Sequence, residues 1–420
     1  MALKHWLQLS LTAGVGPVLA RRMIAATASV DAPALAGAGG GLVQQLVPVG
    51  ESAERACRFT ERELRTVEGI GTAKASAIHR ALQIAAGEVD DELRRAFSLG
   101  VQVICPADQA YPVLLRLIHD PPLVLYVRGG FEPRDLNAVS IVGSRKCTHY
   151  GREQAERFGA LLAGAGVTVV SGGARGVDSA AHRGAMRHPQ GRTIAVLGSG
   201  VDVAYPPENA GLFGEIATRG AVISEFPLGT PPVADNFPRR NRIVAGMSRG
   251  VLVVEAAERS GALITARVAG EEDGRTIFAL PGRVDNPMAA GPHQLLRDGA
   301  TLATNLEDIL EGLTPLPDAA DRDDRDDRDD LFHGIELSVE PDAPPAPATP
   351  PPAPAQKTAA AGLSDRQRRI LDQLAGGEAG VDRIIDLTGL AAPVVLQELT
   401  FLSLKGLIRR IDGQTYARRG

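Results

Sequence analysis

Four small-residue loops carry the groups in this 420-residue chain best suited to hold phosphate: Gly143-Ser144-Arg145-Lys146, Ser171-Gly172-Gly173-Ala174-Arg175-Gly176, Gly198-Ser199-Gly200 and Ser260-Gly261. Glycine lets a phosphate approach backbone N–H groups, and a guanidinium adds bidentate countercharge. The densest cluster is Asn236-Phe237-Pro238-Arg239-Arg240-Asn241-Arg242, one aromatic among three arginines and two asparagines. Unpaired nucleic acid needs this mixture: guanidiniums for the backbone, and a ring on which a base stacks for ~1–3 kcal/mol. The candidate DNA-contacting residues are therefore Gly143, Ser144, Arg145, Gly172, Gly173, Arg175, Phe237, Arg240, Asn241, Arg242, Ser260 and Gly261.

Other chemistries find weaker footing. No G-x-x-x-x-G-K-[ST] cradle occurs, and the dinucleotide-like start Gly198-Ser199-Gly200 ends in Val203 and runs into Pro206-Pro207. Asp178 and His182 are four apart on one helix face, but no G-x-S-x-G elbow accompanies them, so a local cap or pair is the better reading. A nucleoside-phosphate hydrolase is the alternative function, suggested by the phosphate-type loops and by Glu255 near Ser260-Gly261. The P-G-G-x-G-T run such enzymes carry is missing, since Pro281-Gly282 leads into Arg283. Cys57, Cys105 and Cys147 are odd in number and show no C-x-x-C spacing, which points away from zinc and disulfides and toward reducing cytosol. Neither metal nor cofactor is expected. Hydrophobic residues make up 44%, yet no run reaches the roughly 18 apolar residues of a bilayer-spanning helix.

The net charge of −5 misleads about a polyanionic partner. Residues 321–330 hold seven Asp and three Arg, whereas residues 137–250 hold 13 Lys and Arg against 8 Asp and Glu, a local excess of five positive charges.

The elements that must position these loops alternate between β-branched runs and helical patterns from about 96 to 313. Strands are expected at 138–142, 167–170, 193–197, 221–224, 251–254 and 276–280, with two more near 101–104 and 123–127. Their loops would lie along one edge of a doubly wound, mostly parallel sheet, where ligands bind. Residues 1–88 read as a helical domain with two Gly-hydrophobic-Gly turns, Gly14-Val15-Gly16 and Gly69-Ile70-Gly71, each opening a helix; a plain αα-hairpin connection is the better reading for residues 11–22, while residues 66–80 fit that or a phosphate-holding turn as in helix-hairpin-helix modules equally, and Gly37–Gly41 reads as a loop. Residues 314–362 are an acidic and proline-rich linker, with eight prolines in residues 341–354. Residues 363–420 show three helical patterns and a hairpin turning at Asp412-Gly413, a winged-helix order. The third helix, with Val394, Val395, Leu396, Leu399 and Leu402, offers almost no base-reading side chain apart from Gln397, so protein contact is favoured for this domain.

Residues 96–313 resemble the DNA-processing protein A (DprA/Smf) family. The likeness rests on Val142-Gly-Ser-Arg145, Ser171-Gly-Gly-Ala-Arg-Gly-Val-Asp178 with Ala181-His182, Gly191–Gly198, Tyr205-Pro-Pro-Glu-Asn209, Ser224-Glu225, Phe237-Pro-Arg-Arg-Asn-Arg-Ile-Val-Ala-Gly246 and Glu255–Thr265. The resemblance implies an extended Rossmann-like α/β domain flanked by an N-terminal helical (SAM-like) domain and a C-terminal winged helix. It also implies a non-catalytic protein that binds single-stranded DNA, protects incoming DNA in natural transformation, loads the RecA recombinase and forms a homodimer through the Rossmann-like domain. Carried over, Arg145 holds phosphate and Phe237 contacts a base. Ala234 departs from the pattern, since family members can carry lysine there, and Arg239 or Arg240 is the available substitute.

Overall fold

The computed structural model describes residues 2–30, 49–313, 365–374 and 378–390, together with 395, 398–399, 402, 407–410 and 415–418. The Gly37–Gly41 loop, the acidic and proline-rich tract and the Asp412-Gly413 turn lie outside the described residues. Two compact units divide the chain, 1–336 and 337–420.

Unit one opens with helices α1 (Ala2–Leu11), α2 (Pro17–Val30), α3 (Val49–Cys57), α4 (Glu61–Leu64) and α5 (Thr72–Ser98). Gly14 and Gly69 take φ near +82° and +83°, left-handed values that let the two Gly-hydrophobic-Gly turns reverse the chain ahead of α2 and α5. Helix α5 buries Ala75, Ile78, Leu82, Ala85, Val89, Glu92 and Ala96 at three- and four-residue spacing, and it runs ten residues past the boundary expected at 88. That extension joins helices to sheet. Glu92 accepts the Leu228 N–H at 2.7 Å, and Trp6, Leu7, Val89 and Ala96 share a core with Leu197, Phe213 and Val222.

The sheet comprises β1 (Gln102–Ile104), β2 (Leu125–Gly129), β3 (Ala138–Val142), β4 (Thr168–Ser171), β5 (Thr193–Val196), β6 (Ala221–Ser224), β7 (Gly250–Val253), β8 (Thr276–Ala279) and β9 (Thr301–Leu302). Its spatial order is β1-β2-β6-β5-β4-β3-β7-β8-β9. Strands β3 to β9 run parallel, while β2 is antiparallel to β6 and to β1. Every residue of β3 to β7 is buried, the continuous apolar signature of strands covered on both faces. Helix α6 (Val113–Arg116) with α10 (Asn236–Gly246) and α11 (Gly261–Arg267) packs on one face, contributing Leu115, Ile243, Val244, Ala262 and Ala266. On the other lie α7 (His149–Gly164), α8 (Val177–Arg187) and α13 (Leu306–Gly312), contributing Phe158, Leu162, Ala181 and Ile309, and α9 (Ala210–Arg219) contributes Phe213 beside the N-terminal helices. Helix α12 (Ala290–Arg297) precedes β9.

After β3 the chain lays β4, β5 and β6 to one side, then returns to place β7, β8 and β9 on the other. The order therefore reverses between β3 and β7, and a crevice opens beyond their carboxyl ends.

Unit two contains α14 (Asp365–Gln373), α15 (Val381–Thr388) and a sheet ordered β10 (Ala379–Gly380), β12 (Thr415–Arg418), β11 (Ile408–Arg410). The expected hairpin is the antiparallel β11–β12 pair, and β10 adds a third strand that the sequence did not suggest. Val395, Leu399 and Leu402 are buried with Ile370, Leu374, Ile384 and Ile408, so these apolar positions of the third helical pattern serve a core. Val394, Leu396 and Gln397 lie outside the described residues.

Candidate nucleic-acid interface

The Gly143-Ser144-Arg145 loop leaves β3 under tight steric control. A Cβ on Gly143 would stand 2.6 Å from Val177 Cγ2 and 2.8 Å from the Glu255 carbonyl oxygen, so only glycine fits. Glu255, buried beyond the end of β7, fastens the loop. Its carbonyl accepts the Ser144 N–H at 2.7 Å. Its carboxylate accepts from Thr148 N, Thr148 Oγ1 and Asn286 Nδ2 at 2.7, 2.7 and 3.0 Å. Three loops from β3, β7 and β8 are thereby held together. Arg145 extends from this anchored base into solvent, with its guanidinium carbon 4.7 Å from the Phe237 ring centroid.

Phe237 belongs to a helix. The cluster at 236–242 forms the start of α10, and Pro238 is accommodated because first-turn amides have no intrahelical partner. Phe237, Arg240, Asn241 and Val244 follow i, i+3, i+4, i+7 spacing and share one face, which walls a crevice of 310 Å³. Gly143, Ser144, Arg145, Gly172, Phe237, Arg240, Asn241, Ser260 and Gly261 all line it. Ser260 caps α11 by accepting the Ala262 N–H at 3.3 Å. Gly198 lies against the Phe237 ring, where a Cβ would stand 2.9 Å from Cδ1.

Arg240 lies at the base of the crevice. It is 4% exposed, donates through Nη1 to the carbonyls of Gly172 and Val196, and burial pulls its guanidinium down to about 10. Burial pushes the Asp178 carboxyl up, with Arg240 opposing. Asp178 accepts the Ala174 N–H at 3.3 Å ahead of α8, the local cap expected of it. His182 does not pair with Asp178: its Nδ1 meets Thr193 Oγ1 at 2.7 Å, and burial holds its imidazole down to about 3, so the ring is neutral.

Three candidate residues lie outside the crevice lining. Gly173 (φ +67°) packs beneath Phe213, and its carbonyl accepts from Asn209 Nδ2 at 3.0 Å. Arg175 is exposed and paired with the Glu208 carboxylate. Arg242 is the clearest departure from the sequence expectation. At 100° per residue it is about 140° around the helix from Phe237. It is buried in ion pairs with Asp120, at 2.9 Å, and Glu225. The linear cluster gave no sign of that division, because a loop would have left all three arginines free. Sequence reasoning also passed over Tyr205, whose ring centroid is 5.6 Å from that of Phe237. The available signal was an aromatic immediately before Pro206-Pro207 in a glycine-containing stretch.

An open, mostly parallel sheet reversing its order at a glycine-lined crevice with arginine above and below defines a Rossmann-like domain. Residues 102–314, half of the chain, match the family described as DNA recombination-mediator protein A, and residues 341–414 match the DprA winged helix domain. The chain belongs to this DprA/Smf family of DNA-processing proteins. It is 33% identical over 431 residues to Protein Smf of Synechocystis, covering 99% of this chain and 98% of that one. Over 222 residues it is 48% identical to Protein Smf of Escherichia coli, covering 51% of this chain and only 59% of the relative. Among solved structures, DNA processing protein A of Streptococcus pneumoniae is 31% identical with a TM-score of 0.60, covering 74% of this chain and 97% of that one.

Proposed function

We propose that this protein binds single-stranded DNA without reacting on it, protects incoming DNA in natural transformation and loads RecA, acting as a cytoplasmic homodimer joined through the Rossmann-like unit. The observation that carries the DNA-binding reading is Arg145 poised over the Phe237 ring at the mouth of the switch-point crevice. An exposed guanidinium beside an aromatic face serves a phosphate and an unstacked base together. The DNA-processing kinship supports the same reading.

The disposition of the titratable groups supports a non-catalytic role. Both Glu255 carboxylate oxygens accept hydrogen bonds from loop residues, Asp178 caps the turn before α8, and His182 is buried and neutral. Asp178 lines the crevice, but its carboxylate is taken up by the Ala174 N–H and lies beside the Arg240 cation. Titration of oligo-dT and of duplex at two salt concentrations tests the proposal, with the mass of the complex read alongside. Preferential, salt-dependent binding of oligo-dT is expected. Indifference to strand state would refute it, and release of free base from nucleoside monophosphates at enzymatic rates would favour the hydrolase instead.

A further inference from the structure

Beside the crevice, four side chains form an unbroken run that the nine lining residues above do not include in full. Arg145 lies over Phe237, Phe237 stands 5.6 Å from Tyr205, and Tyr205 lies against Arg175. The two rings are inclined by 46° and so are not stacked on each other. A base sandwiched between them would need about 7 Å, two stacking spacings of about 3.4 Å. No base therefore fits between the two rings. Arg145 and Arg175 both reach solvent, one at each end of the run, whereas Arg240 and Arg242 are buried.

Tyr205 is held in place from both sides of its segment. Ser199 Oγ donates to the Val203 carbonyl at 2.8 Å, and Asn209 Nδ2 donates to the Gly173 carbonyl at 3.0 Å. Tyr205 as a whole is half-buried. A fixed aromatic face loses little freedom when a base lands on it.

We infer that Tyr205 is a second base-stacking platform, so that the site takes two successive nucleotides of an unpaired strand, one base on Phe237 and one on Tyr205, with Arg145 and Arg175 at the flanking phosphates. This rests on the single-stranded DNA reading above and adds a nucleotide to it. Arg175 is engaged by Glu208, but both side chains are about half exposed, so an incoming phosphate can exchange for the carboxylate. Base stacking is tolerant of sequence, so the second platform lengthens the footprint without adding base preference.

Fluorescence anisotropy with labelled oligo-dT and with an abasic strand of equal length separates stacking from backbone contact. Tyr205→Leu is expected to weaken oligo-dT binding about tenfold and to leave the abasic strand unaffected, while Tyr205→Phe stays within about twofold of the parent. Equal losses on both strands, or no loss on oligo-dT, would overturn the inference. Should Tyr205→Leu fail to fold, Tyr205→Trp supplies an independent readout, because Trp6 is the sole native tryptophan and is 1% exposed. Its new fluorescence should be quenched on saturation with oligo-dT and not with the abasic strand; unchanged emission refutes the platform. If the parent protein itself ignores oligo-dT, the single-strand reading fails along with this one. If the parent binds and Arg145→Ala weakens it while Tyr205 variants are indifferent, only the second platform fails.

Discussion

Arg145 and Arg240 look equivalent in the sequence, and the structure assigns them opposite expected behaviours under mutation. Replacing Arg240 by Met keeps most of the aliphatic volume and removes the guanidinium. The carbonyls of Gly172 and Val196 then lose their donor, at about 1–3 kcal/mol each. Against this, the buried cation is itself disfavoured, since burial pulls its pKa down to about 10, and part of that cost is relieved when the charge goes. Asp178 also loses the nearby positive charge that offsets its burial. The balance is a net loss of about 1–3 kcal/mol, or about 2–10 °C in Tm for a unit of this size.

Arg145→Ala removes an exposed cation from above a ring, so Tm should move by no more than about 2 °C. It also removes one phosphate contact. Oligo-dT affinity should fall about 10- to 150-fold, and the slope of log K against log salt should flatten by about 0.7. Differential scanning fluorimetry and anisotropy across a salt series measure both quantities on both variants. Arg240→Met with unchanged Tm and a salt slope flattened as much as that of Arg145→Ala would refute this division of roles.

Three further outcomes follow from the same geometry. Glu208→Gln frees Arg175 and removes a negative charge from the rim, so oligo-dT should bind about two- to threefold more tightly at low salt; weaker binding would show that Glu208 aids the strand. Gly198→Ala drives a Cβ against the Phe237 ring at 2.9 Å and should weaken oligo-dT binding about tenfold with little change in abasic-strand binding, an expectation that parental affinity in the variant would contradict. His182 is neutral in the folded protein down to about pH 3 but takes a proton near 6.5 when unfolded, so the unfolded chain binds more protons between those values and stability falls as pH drops below 6.5. One proton accounts for up to about 1.4 kcal/mol per pH unit, and urea unfolding at pH 7, 6 and 5 should show a correspondingly flatter dependence in His182→Gln; an identical slope would contradict it.

Much of the sheet was legible because its signals are local. Ala138–Val142 and Ala221–Ser224 read as strands with the observed bounds, and the remaining expected strands are shifted by a residue or two. Strands β9 and β10 escaped notice because two-residue strands have no periodicity to detect. The end of α5 is not legible in the sequence, because what sustains the helix over residues 89–98 is packing against the sheet, with Glu92 reaching the amide of Leu228.

The chain's own order of residues determined which loops end in glycine, which carry arginine, and which segments must be buried strands, since each depends on neighbours a few positions away. It could not determine which arginines meet water. Helix α10 turns Phe237 and Arg240 to one side and Arg242 to the other, and Asp120 and Glu225, 122 and 17 positions upstream respectively, capture Arg242. The pairing of Phe237 with Tyr205, 32 positions away, is likewise tertiary: β5 and β6 are parallel neighbours, so the segments that follow them leave the sheet at one border. Contacts of that reach are fixed by packing, because burial is decided by what the fold brings alongside a residue and not by its sequence neighbours.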